Sequence, residues 1–133
     1  MAIVSGFTYV HNAIAGGYPI LEAIHSVIDF VDEIVVVDCQ STDDTRRLLE
    51  RLAKDDSYKL RVIDGKWGSE AGETLKRAHF LHTFCEGDVI IHFEADEVFD
   101  RLLIQEINLE IECGNYDLAV WRIQLEQNFQ RVR

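Results

Sequence analysis

Residues 33–38 read EIVVVD, with an unbroken apolar run at the centre. A strand with one wet face alternates apolar and polar residues. A strand covered on both faces does not. This chain must therefore cover a sheet from two sides, as parallel strands with intervening helices do. The flanking segments agree. Residues 2–10 (AIVSGFTYV) are β-branched and aromatic and predict a strand. Residues 18–31 place Ile20, Ile24, Val27, Ile28 and Val31 at helical spacing. Pro19 stands near the start of that helix, where its missing N–H costs nothing. Ser41-Thr42-Asp43-Asp44 supplies an N-cap and an acidic first turn. The helix it opens runs to about Lys54, with Leu48, Leu49 and Leu52 inward.

The alternation continues. Residues 59–64 (KLRVID) predict a third strand. A helix over about 71–85 uses Leu75, Ala78, Leu81 and Cys85, and Gly87 ends it. Residues 88–93 (DVIIHF) predict a fourth strand, and 100–112 an amphipathic helix through Leu103, Ile107 and Ile111. Residues 117–126 alternate like a fifth strand. The order β-α-β-α-β-α-β-α-β predicts a three-layer α/β/α fold with a mostly parallel central sheet and right-handed crossovers. With 133 residues and no repeats or linkers, residues 1–133 read as a single domain.

Charge narrows the function. Thirteen Lys and Arg stand against 24 Asp and Glu, a net charge of −11. With no basic patch to offset it, this excludes nucleic-acid binding as the main function. Cys39, Cys85 and Cys113 are an odd number without a CxxC, and no signal peptide precedes them. The expectation is a reducing, cytoplasmic compartment. No apolar run approaches the ~18 residues of a membrane span, so a transmembrane segment is not expected. Peripheral membrane association stays open, as does self-association.

Ligands of open α/β sheets bind beyond the carboxyl ends of the strands. Three of the four corners there carry an acidic residue: Asp38, Asp64 and the group Glu94-Ala95-Asp96-Glu97. Glu94 and Asp96 are two apart, so in extended backbone both side chains point the same way. Two such carboxylates are half of a hard-cation site for Mn²⁺ or Mg²⁺; the alternative is an acidic turn leading into a helix. Asp38 ends an apolar strand, where it accepts hydrogen bonds from a base or ribose, or serves the turn. Asn12 binds ligand or caps the next segment. His79, His82 and Cys85 have zinc-ligand spacing on one helix but lack an evident fourth ligand. Trp67 and Trp121 read as core or interface residues. GxGxxG, GxxxxGK[ST] and GxSxG are all missing, which argues against dinucleotide, P-loop and α/β-hydrolase chemistry.

Taken in order, Asn12, the run DEIVVVDCQSTDDT and the corner Glu94-Ala95-Asp96-Glu97 resemble glycosyltransferase family 2, with its GT-A fold. The resemblance covers roughly residues 2–100. It implies transfer of a sugar from a nucleotide-diphosphate donor, UDP-sugars favoured, to an acceptor it does not identify, with inversion and with Mn²⁺ or Mg²⁺. It places Tyr9 and Asn12 in the nucleotide pocket and Asp38 at the base. Glu94 and Asp96 take the DxD positions, Glu94 toward ribose or metal and Asp96 on the metal. A basic residue near Lys76 or Arg77 approaches the phosphates.

This chain departs from the family pattern in several places. Glu94 replaces the first Asp, His11 the usual aromatic, and Tyr9 the common Pro or Thr. The family's general base and acceptor site lie well after the DxD segment, and this chain ends 37 residues beyond Asp96. Glu126 is a base candidate by position only. The expectation is therefore a donor-binding part lacking the C-terminal acceptor part, inactive in transfer by itself. The alternative from another class is a non-catalytic nucleotide-binding or protein-interaction domain with the same fold.

Overall fold

The computed structural model describes residues 3–65, 84–112 and 130–131. Strands β1 (Val4–Val10), β2 (Glu33–Asp38), β3 (Leu60–Asp64) and β4 (Val89–His92) form one sheet in the order β3-β2-β1-β4. Every pairing in it is parallel, with Val10 opposite Asp38, Asp38 opposite Asp64, and Phe7 opposite His92. The unbroken apolar run of β2 is explained by period two. Ile34 and Val36 enter one core cluster, Val35 and Val37 the other, and all four are fully buried.

Helices α1 (Ile20–Val27) and α2 (Thr45–Ala53) both pack into the larger cluster. α1 buries Ile20, Ala23, Ile24 and Val27, a stripe at i, i+3, i+4 and i+7. Pro19 stands one position before the first turn, and its carbonyl accepts the Ala23 N–H at 2.9 Å. Helix α3 (Arg101–Glu112) adds Leu103 and Ile107 to the same cluster. Asp100 caps it by accepting the Leu103 N–H at 2.8 Å. Phe99 stacks on Phe30 and meets Phe93 edge-on, tying α3's approach to the core.

The smaller cluster is Phe7, Val35, Val37 and Cys39, with Tyr9, Ile63, Cys85 and Ile90 against it. Residues 71–83 of the helix expected over 71–85, and the whole strand expected over 117–126, lie outside the described residues. One element is new. A second sheet pairs β5 (Glu97–Val98) antiparallel with β6 (Gln130–Arg131). Two-residue strands are too short to show a period, so nothing in the sequence announces them.

The amino edge of the main sheet is held by side chains. Glu33 accepts from the Ser5 hydroxyl at 2.5 Å, the Glu86 N–H at 2.6 Å and Arg61 at 2.9 Å. Partial burial opposes its ionisation, but these three donors outweigh burial and hold the Glu33 carboxyl below its usual range. Gly87 passes so close to β1 that a Cβ there would sit 2.5 Å from the Ser5 Oγ. Only glycine fits that approach.

Candidate functional site

A crevice opens in a parallel sheet where successive connections leave in opposite directions. Here that point lies between β1 and β4, because β2 and β3 lie on one side of β1 and β4 on the other. A solvent-open cleft sits at this point. The end of β1 supplies Thr8, Tyr9 and His11, the loop after it Tyr18, and the end of β4 His92, Glu94 and Asp96. The Phe93 N–H still bonds the Phe7 carbonyl at 3.0 Å, so the chain leaving β4 runs on beside Thr8 and Tyr9. The Tyr9 and His92 rings are tilted against each other at 5.6 Å between centroids.

At the cleft rim Glu94, Asp96 and Glu97 each present a carboxylate oxygen, all within 4.8 Å of one another. The extended backbone expected through 94–96 is corrected: the Glu97 N–H donates to the Glu94 carbonyl at 3.0 Å, closing a reverse turn. A turn brings its first and fourth residues together. That is why Glu97, 6% exposed, joins the pair read from the sequence. Three hard oxygen donors fit Mn²⁺ or Mg²⁺, which complete their shells with water and ligand phosphates.

Asp38 is in a different setting. It is 5% exposed and lies outside the cleft lining. One carboxylate oxygen accepts the Ser41 N–H at 3.3 Å and the other faces Arg46 at 3.4 Å. Arg46 also pairs with Glu50 at 2.9 Å and with Asp64. Hydrogen bonds to Glu50 and Asp64 hold the guanidinium even further above its usual value. Asp38 and Asp64 are register partners, so Arg46 neutralises two carboxylates that would otherwise face each other across neighbouring strands.

Asn12 has left-handed backbone, φ 49°, which asparagine tolerates better than most residues. Its Oδ1 accepts the Thr42 N–H at 2.7 Å and its Nδ2 donates to the Thr42 hydroxyl at 3.3 Å. The rest of the run over residues 41–45 grips the same loop. The Ser41 hydroxyl accepts the Asn12 N–H, Asp43 the Ala15 N–H and the Thr45 hydroxyl the Ile14 N–H. The N-cap expected from Ser41 onward falls at Asp44, which makes no side-chain capping bond, and the first turn carries no acidic residue because the helix opens only at Thr45. Asp43, one position before the cap, accepts the Thr45 N–H at 2.9 Å. Slight burial opposes it, but the bonds from Thr45 and Ala15 hold the Asp43 carboxyl below its usual range. His11 Nδ1 lies 2.6 Å from the Cys39 carbonyl, which fixes the ring at the cleft.

The structure thus brings Tyr9, Glu94 and Asp96 to one cleft, with Asn12 and Asp38 behind its β1–α1 loop. Thr8 joins the cleft lining and Glu97 the carboxylate cluster; the sequence placed Glu97 in the acidic corner without giving it a role. Burial, with Glu33 nearby, pushes the Cys85 thiol up to about 11, so it is protonated at neutral pH. His79 and His82, the other members of that zinc reading, lie outside the described residues. So do Trp67, Lys76, Arg77, Trp121 and Glu126. Among the described residues, no helix is long and apolar enough to cross a membrane.

A parallel sheet with this order, opening at its switch point onto a carboxylate corner, is the GT-A architecture. The sequence carries the family as well: the model for Glycosyl transferase family 2 matches residues 8–130, and the chain belongs to that family. An uncharacterized glycosyltransferase of Rickettsia felis is 33% identical over 117 residues, which are 88% of this chain and 37% of that protein. The chain spans about a third of the length of the curated relatives it matches. S. aureus TarS in complex with UDP-GlcNAc superposes with a TM-score of 0.64 at 22% identity, covering 83% of this chain and 31% of TarS. The mannosyltransferase PcManGT from Pyrobaculum calidifontis, with GDP-Man and Mn²⁺, gives 0.59 at 21% identity, covering 77% and 30%.

Proposed function

We propose that this chain is the donor-binding part of a divalent-metal-dependent glycosyltransferase that moves a sugar from a nucleotide-diphosphate donor. The carrying observation is the carboxylate turn Glu94-Asp96-Glu97 at the rim of a cleft on the sheet's switch point. Asp96 and Glu94 hold Mn²⁺ or Mg²⁺, and Glu97 supports them. Tyr9 lines the nucleoside end of the cleft. Asn12 shapes that end by holding the β1–α1 loop, and the family resemblance, not the cleft lining, supports Asp38, oriented by Arg46 behind that loop, as the acceptor for the base. A bound cation supplies Lewis-acid neutralisation of the departing diphosphate. The family resemblance supports inversion. Structural similarity to TarS with UDP-GlcNAc supports a UDP-sugar donor, and PcManGT with GDP-Man makes a GDP-sugar the second candidate. Cys39 and Cys85 are free thiols, in keeping with a reducing, cytoplasmic setting.

The test is calorimetric titration of UDP and GDP into the chain, with Mn²⁺ and then with EDTA. The expected result is binding of one nucleotide that EDTA abolishes. Asp96→Asn is expected to remove the metal-dependent part and leave the melting transition intact. Absence of binding in every condition would discard the donor-site reading and favour an interaction domain built on the same fold.

A further inference from the structure

Thr8 is fully buried, and its hydroxyl has no hydrogen-bond partner among the described residues. It is also part of the cleft lining. Its register partner on β2 is Val36, which is apolar. Valine at position 8 would fill nearly the same volume without desolvating a hydroxyl. A buried hydroxyl left unpaired carries its full desolvation penalty. Such a group in a cleft calls for a partner that arrives with the ligand.

The surroundings define that partner. The nearby cleft groups Glu94 and Asp96 are carboxylates, which accept hydrogen bonds and repel bare anions. An alcohol suits this mixture, because it donates to a carboxylate and also exchanges a hydrogen bond with the threonine hydroxyl. We propose that Thr8 Oγ1 is a specificity-determining contact to a sugar hydroxyl of the donor. The proposal rests on the nucleotide-sugar reading above. Two parts of such a donor carry that chemistry, the ribose and the transferred sugar.

The experiment compares wild type, Thr8→Val and Thr8→Ser by thermal melting without ligand. Titrations with Mn²⁺ follow, using UDP, UDP-GlcNAc, GDP and GDP-mannose. Without ligand, Thr8→Val is expected to melt higher, by about 3 °C, because an unsatisfied polar group is gone. Its affinity for the bound donor is expected to fall about fivefold or more, and Thr8→Ser to retain it within about twofold. A loss shared by nucleotide and nucleotide-sugar assigns the contact to the ribose. A loss confined to the nucleotide-sugar assigns it to the transferred sugar. Equal binding by wild type and Thr8→Val overturns the proposal while leaving the nucleotide-sugar reading intact. Lower melting or misfolding of Thr8→Val also overturns it, since the hydroxyl would then have a partner in the empty cleft. If wild type binds none of the four ligands, the nucleotide-sugar reading fails first and this contact falls with it.

Discussion

Asn12 commits both ends of its amide to Thr42, and in doing so joins the loop after β1 to the loop after β2. From the sequence it had two readings, ligand contact or cap, and the loop geometry adds the role of a clasp between two loops. Asn12→Ala removes the acceptor for the Thr42 N–H and puts alanine at φ 49°. We expect it to cost about 2 kcal/mol by urea or thermal unfolding. Asn12→Asp keeps the 2.7 Å acceptor and is expected to retain most of the stability. If instead Asn12→Ala melts like wild type yet binds nucleotide weakly, the side chain touches ligand and the clasp is incidental. The run Ser41 to Thr45 shows the same limit of reading. Its polar composition marks a corner, but which hydroxyl meets which N–H depends on a loop some 28 residues away in sequence.

Elements were more legible than contacts. The helices over Ile20–Val27, Thr45–Ala53 and Arg101–Glu112 follow the apolar stripes that mark them, because burial of one helix face selects that spacing. Strands Val4–Val10, Glu33–Asp38, Leu60–Asp64 and Val89–His92 were visible for the complementary reason. The β5–β6 pair was not, nor was the network that ties the amino edges of β1, β2 and β3 together at Glu33. That network has a pH signature. Glu33 is held below its ordinary value of 4.5, so folding favours its ionised form. Its contribution is complete above that value and is lost as the pH falls through the lower, folded value. At pH 7, Glu33→Gln is expected to be less stable than wild type by about 1 kcal/mol, since the bond from Ser5 is part-buried while those from Glu86 and Arg61 are exposed to solvent screening. Melts taken down to about pH 3 should show the gap narrowing. A gap independent of pH would mean that Glu33 matters through shape and not charge.

At the scale of the molecule, function depends on strand order, and strand order is what local pattern does not carry. The order β3-β2-β1-β4 puts the switch point between the first and fourth strands and so brings Tyr9 beside Glu94. From the sequence, Glu94 and Asp96 could be paired by assuming extended backbone; the structure pairs them through a turn instead. The turn that replaces it adds Glu97 and packs three like charges within 4.8 Å. Under the proposed reading a cation binds among them, which links binding to stability. Mn²⁺ with nucleotide at about a hundred times its Kd should stabilise the chain by about 2.7 kcal/mol. In a domain of this size that is a rise in melting temperature of roughly 10 °C, reversed by EDTA. Asp96→Asn should show no such rise, and without metal it should melt like wild type. Glu97→Gln separates a ligand from a mere neighbour. A reduced shift makes Glu97 the third carboxylate of the site, whereas a shift equal to wild type would confine it to holding the turn.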